Sequence, residues 1–399
     1  MEFNEAQKKA VRHCDGPMLL LAGPGSGKTT VITHRIKYMT EEHGVRPDNI
    51  LVITFTKAAA NEMKGRFQEL CPGTRGVTFG TFHSVFFWML RNAYNYTAAN
   101  IVTDSEKYGA IRDSIDRHGF RYDSQEDFAK NVVGEIGNVK SGRVSLENYE
   151  STTMKLEDFR IVYDEYENFL RRCGKIDFDD MLVFTYELLS ERPDILKMWQ
   201  NKFRYILIDE FQDINMIQYD IVKLLAGERQ NVFSVGDDDQ SVYGFRGAAP
   251  AIMKKFPEDF HGTVIEYLNV NYRCSYDIVE CSKRIIQNNR DRYEKQLRSA
   301  FAAGQSDRVH IVKTDSMTEQ NKKIIDRITE LNRAGIPYRE MAIIFRTNTE
   351  PRALASKLME NGIPFLMKDN IPNIFTHFLA ENIFDYIRLA RGSRDRRTV

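Results

Sequence analysis

The chain has 399 residues, 42% of them hydrophobic and 28% charged, and its formal net charge is zero. This balance is typical of a globular protein with room for two or three domains, and it excludes nucleic-acid binding through overall positive charge, while leaving a local basic cleft open. The five cysteines form no CxxC pair and therefore indicate neither a zinc site nor a disulfide framework. The apolar run at 17–22 is too short to span a bilayer and no signal peptide is visible, so we expect a cytoplasmic protein without a membrane partner.

Short apolar runs with polar or turn residues at their ends recur along the chain. They predict strands at 18–22, 50–55, 205–210, 231–236 and 341–346. Helical patterns follow the first two runs directly. This alternation predicts an α/β fold with a parallel sheet covered by helices.

The spacing of the strands predicts the domain organisation. Residues 88–200 carry charged, amphipathic helical patterns with few strand signals, which indicates a helical insertion between two strands of the first sheet. We therefore assign 1–87 and 201–270 to a first α/β domain and 271–380 to a partial second one. Residues 381–399 begin a further segment that ends in a basic tail.

A glycine-rich loop in LLLAGPGSGKTTV (19–31) joins the first predicted strand to a helical pattern, with Ala22 in place of the first consensus glycine. Its glycines let backbone N–H groups face a phosphate chain, and the helix N-terminus adds positive potential. We expect Lys28 to reach the β- and γ-phosphates and Thr29 to bind Mg²⁺; the alternative is a tight strand-to-helix turn with a solvated lysine. The predicted nucleotide-binding residues here are Gly23, Gly25, Ser26, Gly27, Lys28, Thr29 and Thr30.

Two carboxylates end the apolar run YILIDE (205–210), at the carboxyl edge of a buried strand. We expect Asp209 to bind Mg²⁺ through water and Glu210 to act as a general base on the attacking water. The alternative is that these acids only cap the strand at the surface.

The segment VGDDDQSVYGFRGAA (235–249) brings acids, an amide, aromatic rings and an arginine together. Gln240 follows a predicted strand and a turn at Asp237. Its uncharged amide can bond both a γ-phosphate oxygen and the attacking water, so we expect it to report hydrolysis. Asp238 and Asp239 are interpreted as solvated and receive no role.

In this order the segments resemble superfamily 1 DNA helicases of the UvrD/Rep/PcrA type, over essentially the whole chain. The phosphate loop, the carboxylate pair and 235–249 are similar to three motifs of that family. Further matches, each weak alone, are FNEAQKKAV (3–11), ITFTKAAANEM (53–63), GTFHS (80–84), IDFDDML (176–182), LNVNYRCS (268–275) and AIIFRTN (342–348). The resemblance implies a P-loop NTPase with a RecA-like parallel sheet, a helical insertion and a partial second RecA-like domain.

The resemblance also implies an enzyme, an ATP-dependent DNA helicase of 3′–5′ polarity that uses ATP and Mg²⁺. In that family pattern Gln7 reads the adenine edge and Tyr272 stacks on adenine, while Arg273 contacts the γ-phosphate from the second domain. The implied catalytic residues are Lys28, Glu210, Gln240 and Arg273. The implied partners are single-stranded DNA, duplex junctions, and proteins of repair or replication.

The DNA-binding residues implied by the resemblance are Phe55, Thr81, His83, Tyr243, Phe245 and Arg246. A base stacked on an aromatic ring gains ~1–3 kcal/mol whatever the base, so a shift of 235–249 would link the γ-phosphate to the grip on DNA. Other interpretations stay open. In these interpretations, one of the two rings of Tyr243 and Phe245 is buried in the protein and does not contact DNA. Similarly, Phe55 packs in the core, and His83 only forms hydrogen bonds within a turn.

The end of the chain departs from the family pattern. Family members carry two further motifs after a second helical insertion, whereas 381–399 ends in a basic tail with Arg391, Arg394, Arg396 and Arg397. We therefore expect a truncated form that binds ATP, hydrolyses it slowly and unwinds poorly alone. The alternatives are the motor part of a helicase–nuclease subunit, a non-catalytic ATP-dependent DNA-binding module, and a small-molecule P-loop kinase.

Overall fold

The structure is a computed structural model. It describes residues 2–120, 125–142, 144–147, 149–241, 251–290, 292–304, 309–347, 350–367 and 378–392. Contacts between residues divide the chain into two compact units, a first unit Met1–Val309 and a second unit His310–Val399. Within the described ranges, no helix combines the length and the hydrophobicity that crossing a membrane requires.

A parallel sheet forms the centre of the first unit. Its strands are β1 (Met18–Ala22), β2 (Ile50–Thr54), β3 (Thr78–Thr81), β4 (Tyr205–Ile208), β5 (Val232–Gly236) and β6 (Val264–Leu268). A separate pair consists of β7 (Val270–Asn271) and β8 (Arg298–Ser299). Six strands lie in the order β3-β2-β4-β5-β1-β6, and every neighbouring pair is parallel. Strands β7 and β8 pair separately, also in parallel. The predicted α/β fold with a parallel sheet is confirmed.

Helices connect these strands. They are α1 (Glu5–Arg12), α2 (Lys28–Glu41), α3 (Lys57–Leu70), α4 (Phe82–Ala93), α5 (Asp104–His118), α6 (Gln125–Gly142), α7 (Leu156–Cys173), α8 (Phe178–Glu191), α9 (Pro193–Lys202), α10 (Met216–Ala226), α11 (Ala251–Asp259) and α12 (Tyr276–Ile286). Polar residues cap several of them. Thr81 accepts a hydrogen bond from the first turn of α4, and Asn215 does the same for α10. Such caps satisfy N–H groups that a helix leaves unpaired, and they set where each helix begins.

Two hydrophobic cores lie on the two faces of the sheet. In β1, Leu19 and Leu21 pack into one core with residues of α4 and α10, whereas Met18 and Leu20 pack into the other with residues of α2 and α3. Every residue of β1, β2 and β5 is buried. A strand covered on both faces has no polar side, which explains the unbroken apolar runs in the sequence.

The predicted helical insertion is confirmed between β3 and β4. The regular elements described there are helices and the 3-10 turn Ala98–Asn100, with one β-bridge between Ile101 and Ile176. Helices α5, α6 and α7 enclose a core of their own. The predicted limits of the insertion, at 88 and 200, fall inside α4 and α9.

The described part of the second unit is helical. Its helices are α13 (Met317–Arg333), α14 (Pro351–Glu360) and α15 (Phe378–Ala390). Leu354, Leu358 and Ile363 form the centre of a small core. The strand predicted at 341–346 is wrong, because these residues form no regular element and Ile344 is 93% exposed. An apolar run becomes a strand only where a neighbour takes its backbone hydrogen bonds, and the described residues of this unit include no strand.

Two further differences concern short elements and boundaries. The sequence patterns do not predict β3 or β6, whose segments TFGT and VIEYL are short and include polar residues. The first compact unit extends to Val309, whereas the predicted second domain begins at 271. Helix α15 also crosses the predicted boundary at 381. The domain limits stay predictions.

Candidate active site

The candidate residues for nucleotide chemistry follow strands of the large sheet at their carboxyl ends. The glycine-rich loop follows β1, Asp209 and Glu210 follow β4, and Asp237 follows β5. Strand β5 lies between β4 and β1. Because the strands are parallel, these three segments meet at one edge of the sheet, which is where open α/β sheets bind ligands.

Glycine shapes the loop between β1 and α2. Gly25 and Gly27 have φ angles of 65° and 87°, in the left-handed region that glycine adopts without a Cβ clash. A Cβ on Gly25 would also lie 2.7 Å from the Cβ of Arg273. Ser26 is buried, and its hydroxyl donates to the carbonyl oxygen of Gly23 at 2.7 Å. The loop thus leads into the N-terminus of α2, whose N–H groups and positive potential suit a phosphate.

A lysine–glutamate pair lies beside this loop. Lys28 Nζ donates to Glu210 Oε2 at 3.2 Å, and Gln212 Nε2 donates to the same oxygen at 2.8 Å. Both hydrogen bonds from described residues to this carboxylate therefore end on Oε2. Glu210 has a φ of 52°, a left-handed conformation that costs a residue with a Cβ about 1–3 kcal/mol. Strain of this kind, held by the surrounding structure, is typical of functional positions.

Asp209 is buried, with 6% of its surface exposed. Burial raises the pKa of this carboxyl to about 6, and the charge of Glu210 adds to the effect while Lys28 opposes it. No described residue donates a hydrogen bond to its Oδ1, and an unsatisfied buried oxygen is costly. Thr29, half-buried at the start of α2, carries a hydroxyl oxygen that would be a second ligand for a cation there. Carboxylate and hydroxyl oxygens of this kind fit Mg²⁺, a hard cation.

Gln212, which the sequence patterns do not single out, connects the carboxylate pair to the end of β5. Its Oε1 accepts from the backbone N–H of Asp237 at 2.9 Å, and Asp237 Oδ2 accepts from Gln240 Nε2 at 2.7 Å. Gln212 is 2% exposed, so these bonds are sheltered from water. One chain of hydrogen bonds therefore runs through Lys28, Glu210, Gln212, Asp237 and Gln240. The available sequence signal was an amide two residues after the carboxylate pair.

The interpretation of Asp238 and Asp239 as solvated is wrong. The side chain of Lys295 is 5% exposed and forms ion pairs with Asp237, Asp238 and Asp239. Arg292 adds a second cation, 2.7 Å from Asp239. Burial opposes the charge of the Lys295 ammonium, but the carboxylates outweigh burial and raise its pKa. The acids are therefore neutralised by a segment distant in sequence, which no local pattern reveals.

Gln7 lies in contact with the glycine-rich loop. Its Nε2 donates to the carbonyl oxygen of Ser26 at 3.0 Å, and its Oε1 accepts from the backbone N–H of Asn4 at 3.1 Å. It is 6% exposed. The structure therefore shows Gln7 fastening α1 to the loop, and its reading of adenine stays a prediction.

Tyr272 and Arg273 lie at the rim of the loop and belong to the first unit. The backbone N–H of Tyr272 donates to the carbonyl oxygen of Gly25 at 2.9 Å, and its hydroxyl accepts from Asn4 Nδ2 at 3.0 Å. The Tyr272 side chain remains 45% exposed. Asn271 Oδ1 accepts from the backbone N–H of Arg273 at 2.8 Å and so holds this turn. The exposed guanidinium of Arg273 pairs with no described residue, which leaves it able to bind an anion.

The candidate DNA residues that the structure describes lie at the carboxyl ends of β2 and β3, at the same edge of the sheet. Phe55 is half-buried after β2, and Thr81 caps α4. His83 is half-buried, and burial lowers its pKa, so the ring is neutral at pH 7. Phe178, which the sequence patterns miss, is 50% exposed and meets the His83 ring edge-to-face at 5.5 Å; its signal was the aromatic in IDFDDML. The candidates outside the described residues are Tyr243, Phe245 and Arg246.

Comparison with known proteins gives two family matches. The model of the UvrD/REP helicase N-terminal domain matches residues 3–261, and that of the UvrD-like helicase C-terminal domain matches residues 266–399. The chain is 35% identical over 406 residues to the ATP-dependent DNA helicase PcrA of Staphylococcus epidermidis, covering 98% of this chain and 54% of the relative. It is 34% identical over 403 residues to the ATP-dependent DNA helicase PcrA of Staphylococcus aureus, with coverage of 98% and 54%. The chain spans about half the length of the curated relatives it matches.

Proposed function

The chain belongs to the UvrD/REP helicase family, and from this premise we propose that it is the motor region of an ATP-dependent DNA helicase. In this proposal it binds ATP with Mg²⁺, binds single-stranded DNA and duplex junctions, and hydrolyses ATP in DNA repair or replication. The family resemblance suggests 3′–5′ polarity. Residues 1–87 and 201–270 act as the ATP-binding domain, 88–200 as an inserted helical domain, and 271–380 as part of a second motor domain.

The observation that carries this proposal is the chain of hydrogen bonds from the glycine-rich loop to the end of β5. It links Lys28, a phosphate ligand, to Glu210, a base, and ends at Gln240, whose amide suits a γ-phosphate. A protein that only bound ATP would need Lys28 but neither Glu210 nor Gln240. The presence of both residues in one chain of hydrogen bonds therefore supports hydrolysis.

Asp209 and Thr29 would hold Mg²⁺, which when bound neutralises negative charge on the phosphate oxygens. When a phosphate draws Lys28 away from Glu210, the carboxylate becomes free to accept a proton from the attacking water at Oε1 or Oε2. Gln240 orients that water through its amide. The exposed guanidinium of Arg273 adds positive charge opposite the γ-phosphate.

The arrangement of the strands supports coupling between ATP and DNA. Strand β4, which carries the base, separates β5 from β2, and β2 adjoins β3. Phe55, Thr81 and His83 therefore share an edge with the ATP residues, and they lie one or two strands from β4, which precedes Asp209 and Glu210. The exposed ring of Phe178 beside His83 adds a surface on which a base stacks, worth ~1–3 kcal/mol.

ATP hydrolysis by the 399-residue chain, with and without single-stranded DNA, tests the proposal. We expect DNA to raise turnover, Glu210→Gln to abolish turnover while ATP still binds, and Lys28→Ala to remove ATP binding. Lys9→Ala is the matched control, because Lys9 also pairs with a glutamate, Glu266, but is 68% exposed and lies outside the loop. Its turnover should equal that of the unmodified chain.

The other outcomes separate the alternatives. Turnover that ignores DNA would favour a small-molecule P-loop kinase. ATP binding without turnover, under every DNA condition, would favour a non-catalytic DNA-binding module and would contradict the role of Glu210.

A further inference from the structure

Three consecutive carboxylates at the end of β5 form a buried cluster. One oxygen each from Asp237, Asp238 and Asp239 lie within 4.8 Å of one another. The side chains are only 1%, 8% and 11% exposed, respectively. Carboxylates this close cannot all stay ionised unless cations compensate them. The Lys295 ammonium contacts all three, and Arg292 contacts the third, so the protein itself supplies that charge.

Lys295 comes from a segment that also supports the rim of the nucleotide site. Two residues before it, the backbone N–H of Tyr293 donates to Asp238 Oδ2 at 2.6 Å. Three residues after it begins β8, which pairs with β7. Strand β7 leads directly into Tyr272 and Arg273. Lys295 therefore ties the turn after β5 to the strand pair that presents the residues at the rim.

Asp237 connects this ion cluster to the candidate γ-phosphate sensor. Its Oδ1 accepts from Lys295, its Oδ2 accepts from Gln240 Nε2 at 2.7 Å, and its backbone N–H donates to Gln212. Asp237 can hold both partners only in this rotamer, in which one carboxylate oxygen faces each of them. Removing the ammonium would leave three buried acids with one cation, so the turn would have to rearrange to relieve the repulsion.

We propose that Lys295 is a positioning residue for hydrolysis, which holds Gln240 through Asp237 and joins γ-phosphate sensing to the strand pair before Tyr272 and Arg273. This inference rests on the proposed function and extends it. Lys295 touches no substrate in this role. Its loss should therefore impair the response to the γ-phosphate and leave binding of the rest of the nucleotide intact.

Lys295→Met, which keeps an unbranched side chain one atom shorter and removes the charge, tests the inference. We expect kcat to fall by about tenfold or more, and the preference for a non-hydrolysable ATP analogue over ADP to fall by about tenfold, as loss of one charge-supported hydrogen bond implies. The ADP affinity should stay within about twofold, because the glycine-rich loop is unchanged. Fluorescence titration with labelled nucleotides measures both affinities.

Lys140→Met is the matched control. Lys140 is 3% exposed and likewise pairs with three carboxylates, but its cluster lies in the helical insertion; the partners are Asp177, Asp180 and Glu167. Both variants remove a buried lysine from an acidic cluster and should lose stability. Only Lys295→Met should change the preference for the ATP analogue over ADP.

A double-mutant cycle with Gln240→Ala separates positioning from general damage. If Lys295 acts through Gln240, adding Lys295→Met to Gln240→Ala should not reduce the analogue preference further. Should Lys295→Met not fold, Lys295→Arg keeps the charge with a different geometry, and it should give a preference between those of the unmodified chain and Gln240→Ala. Additive losses, or an unchanged preference in the Lys295 variants, would overturn the inference.

Failure of the proposed function would look different. The unmodified chain would then bind no ATP, or its turnover would not respond to DNA. The positioning role alone is refuted if the unmodified chain binds and hydrolyses ATP and the folded Lys295 variants have the same kcat and the same preference for the ATP analogue over ADP.

Discussion

Replacing Asp209 by asparagine is expected to stabilise the first unit when no nucleotide is present. Burial raises the pKa of this carboxyl from 3.8 to about 6, helped by the charge of Glu210. Its Oδ1 is buried without a donor among the described residues. At neutral pH the folded protein therefore holds an ionised carboxylate in an unfavourable place, and Asp209→Asn removes that charge with little change in shape.

The two pKa values determine the size and sign of the effect. The difference between 3.8 and about 6 corresponds to about 3 kcal/mol at pH 7. Because the folded state binds the proton more tightly than the unfolded state, Asp209 lowers stability as pH rises from about 4 to about 6. Asp209→Asn should thus raise the free energy of unfolding by about 1–3 kcal/mol at pH 7, and the gain should vanish near pH 4.

Tryptophan fluorescence during urea unfolding measures the free energy of unfolding of the first unit, which contains Asp209. The two tryptophans of the chain, Trp88 and Trp199, both lie in the first unit with ring centroids 4.9 Å apart. Asp179→Asn is the matched control, since burial and the charge of Asp177 raise the pKa of Asp179 to about 6 as well. Both variants should gain stability at pH 7, but only Asp209→Asn should lose the additional stabilisation by Mg²⁺ with ATP. Equal or lower stability of Asp209→Asn at pH 7 would refute the reasoning.

Three further outcomes are expected. Gln212→Ala should lower kcat by about tenfold or more while ATP affinity changes little, because it breaks the link between Glu210 and Asp237; steady-state turnover and nucleotide titration check this. Phe178→Ala should weaken single-stranded DNA binding by about tenfold in fluorescence anisotropy, whereas Tyr94→Ala, at a tyrosine that is 48% exposed, should not. His83→Gln should make the protein lose less stability on acidification. Burial lowers the pKa of His83, so below pH 6.5 the unfolded state binds a proton at this residue more readily than the folded state does, which favours unfolding. Urea unfolding at pH 7.5 and 5.5 checks the last.

The sheet and the glycine-rich loop could be predicted because their signals are local. A strand such as β1 is apolar at every position because both faces of the sheet are covered. The loop positions with positive φ are glycines, so the sequence itself marks where the backbone turns. Parallel strands then bring Asp209, Glu210 and the turn after β5 to one edge without further information. The chemistry of that edge could therefore be anticipated from segments far apart in the chain.

The partners of these residues could not be predicted, because partnership depends on folded geometry. Asp238 and Asp239 have the local signature of a solvated turn, and only the packing of a distant segment brings Lys295 to them. Ile343 and Ile344 have the local signature of a strand, yet the described part of the second unit has no strand to pair with them. In both cases the local sequence is compatible with two environments: the acids can be solvated or ion-paired, and the isoleucines can lie in a strand or outside one. Tertiary contacts determine which environment forms.

Three unfavourable features of the first unit lie at the carboxyl edge of its sheet. Glu210 holds a left-handed backbone, Asp209 keeps an unpartnered oxygen, and three acids crowd around Lys295. The faces of the same sheet carry two well-filled apolar cores. Stability from the faces can offset strain at the edge, since the same strands belong to both. A bound phosphate and cation would relieve this strain by meeting the loop N–H groups and the Asp209 oxygen. Nucleotide should therefore stabilise the first unit most strongly at the ends of β1, β4 and β5, where hydrogen exchange would register it.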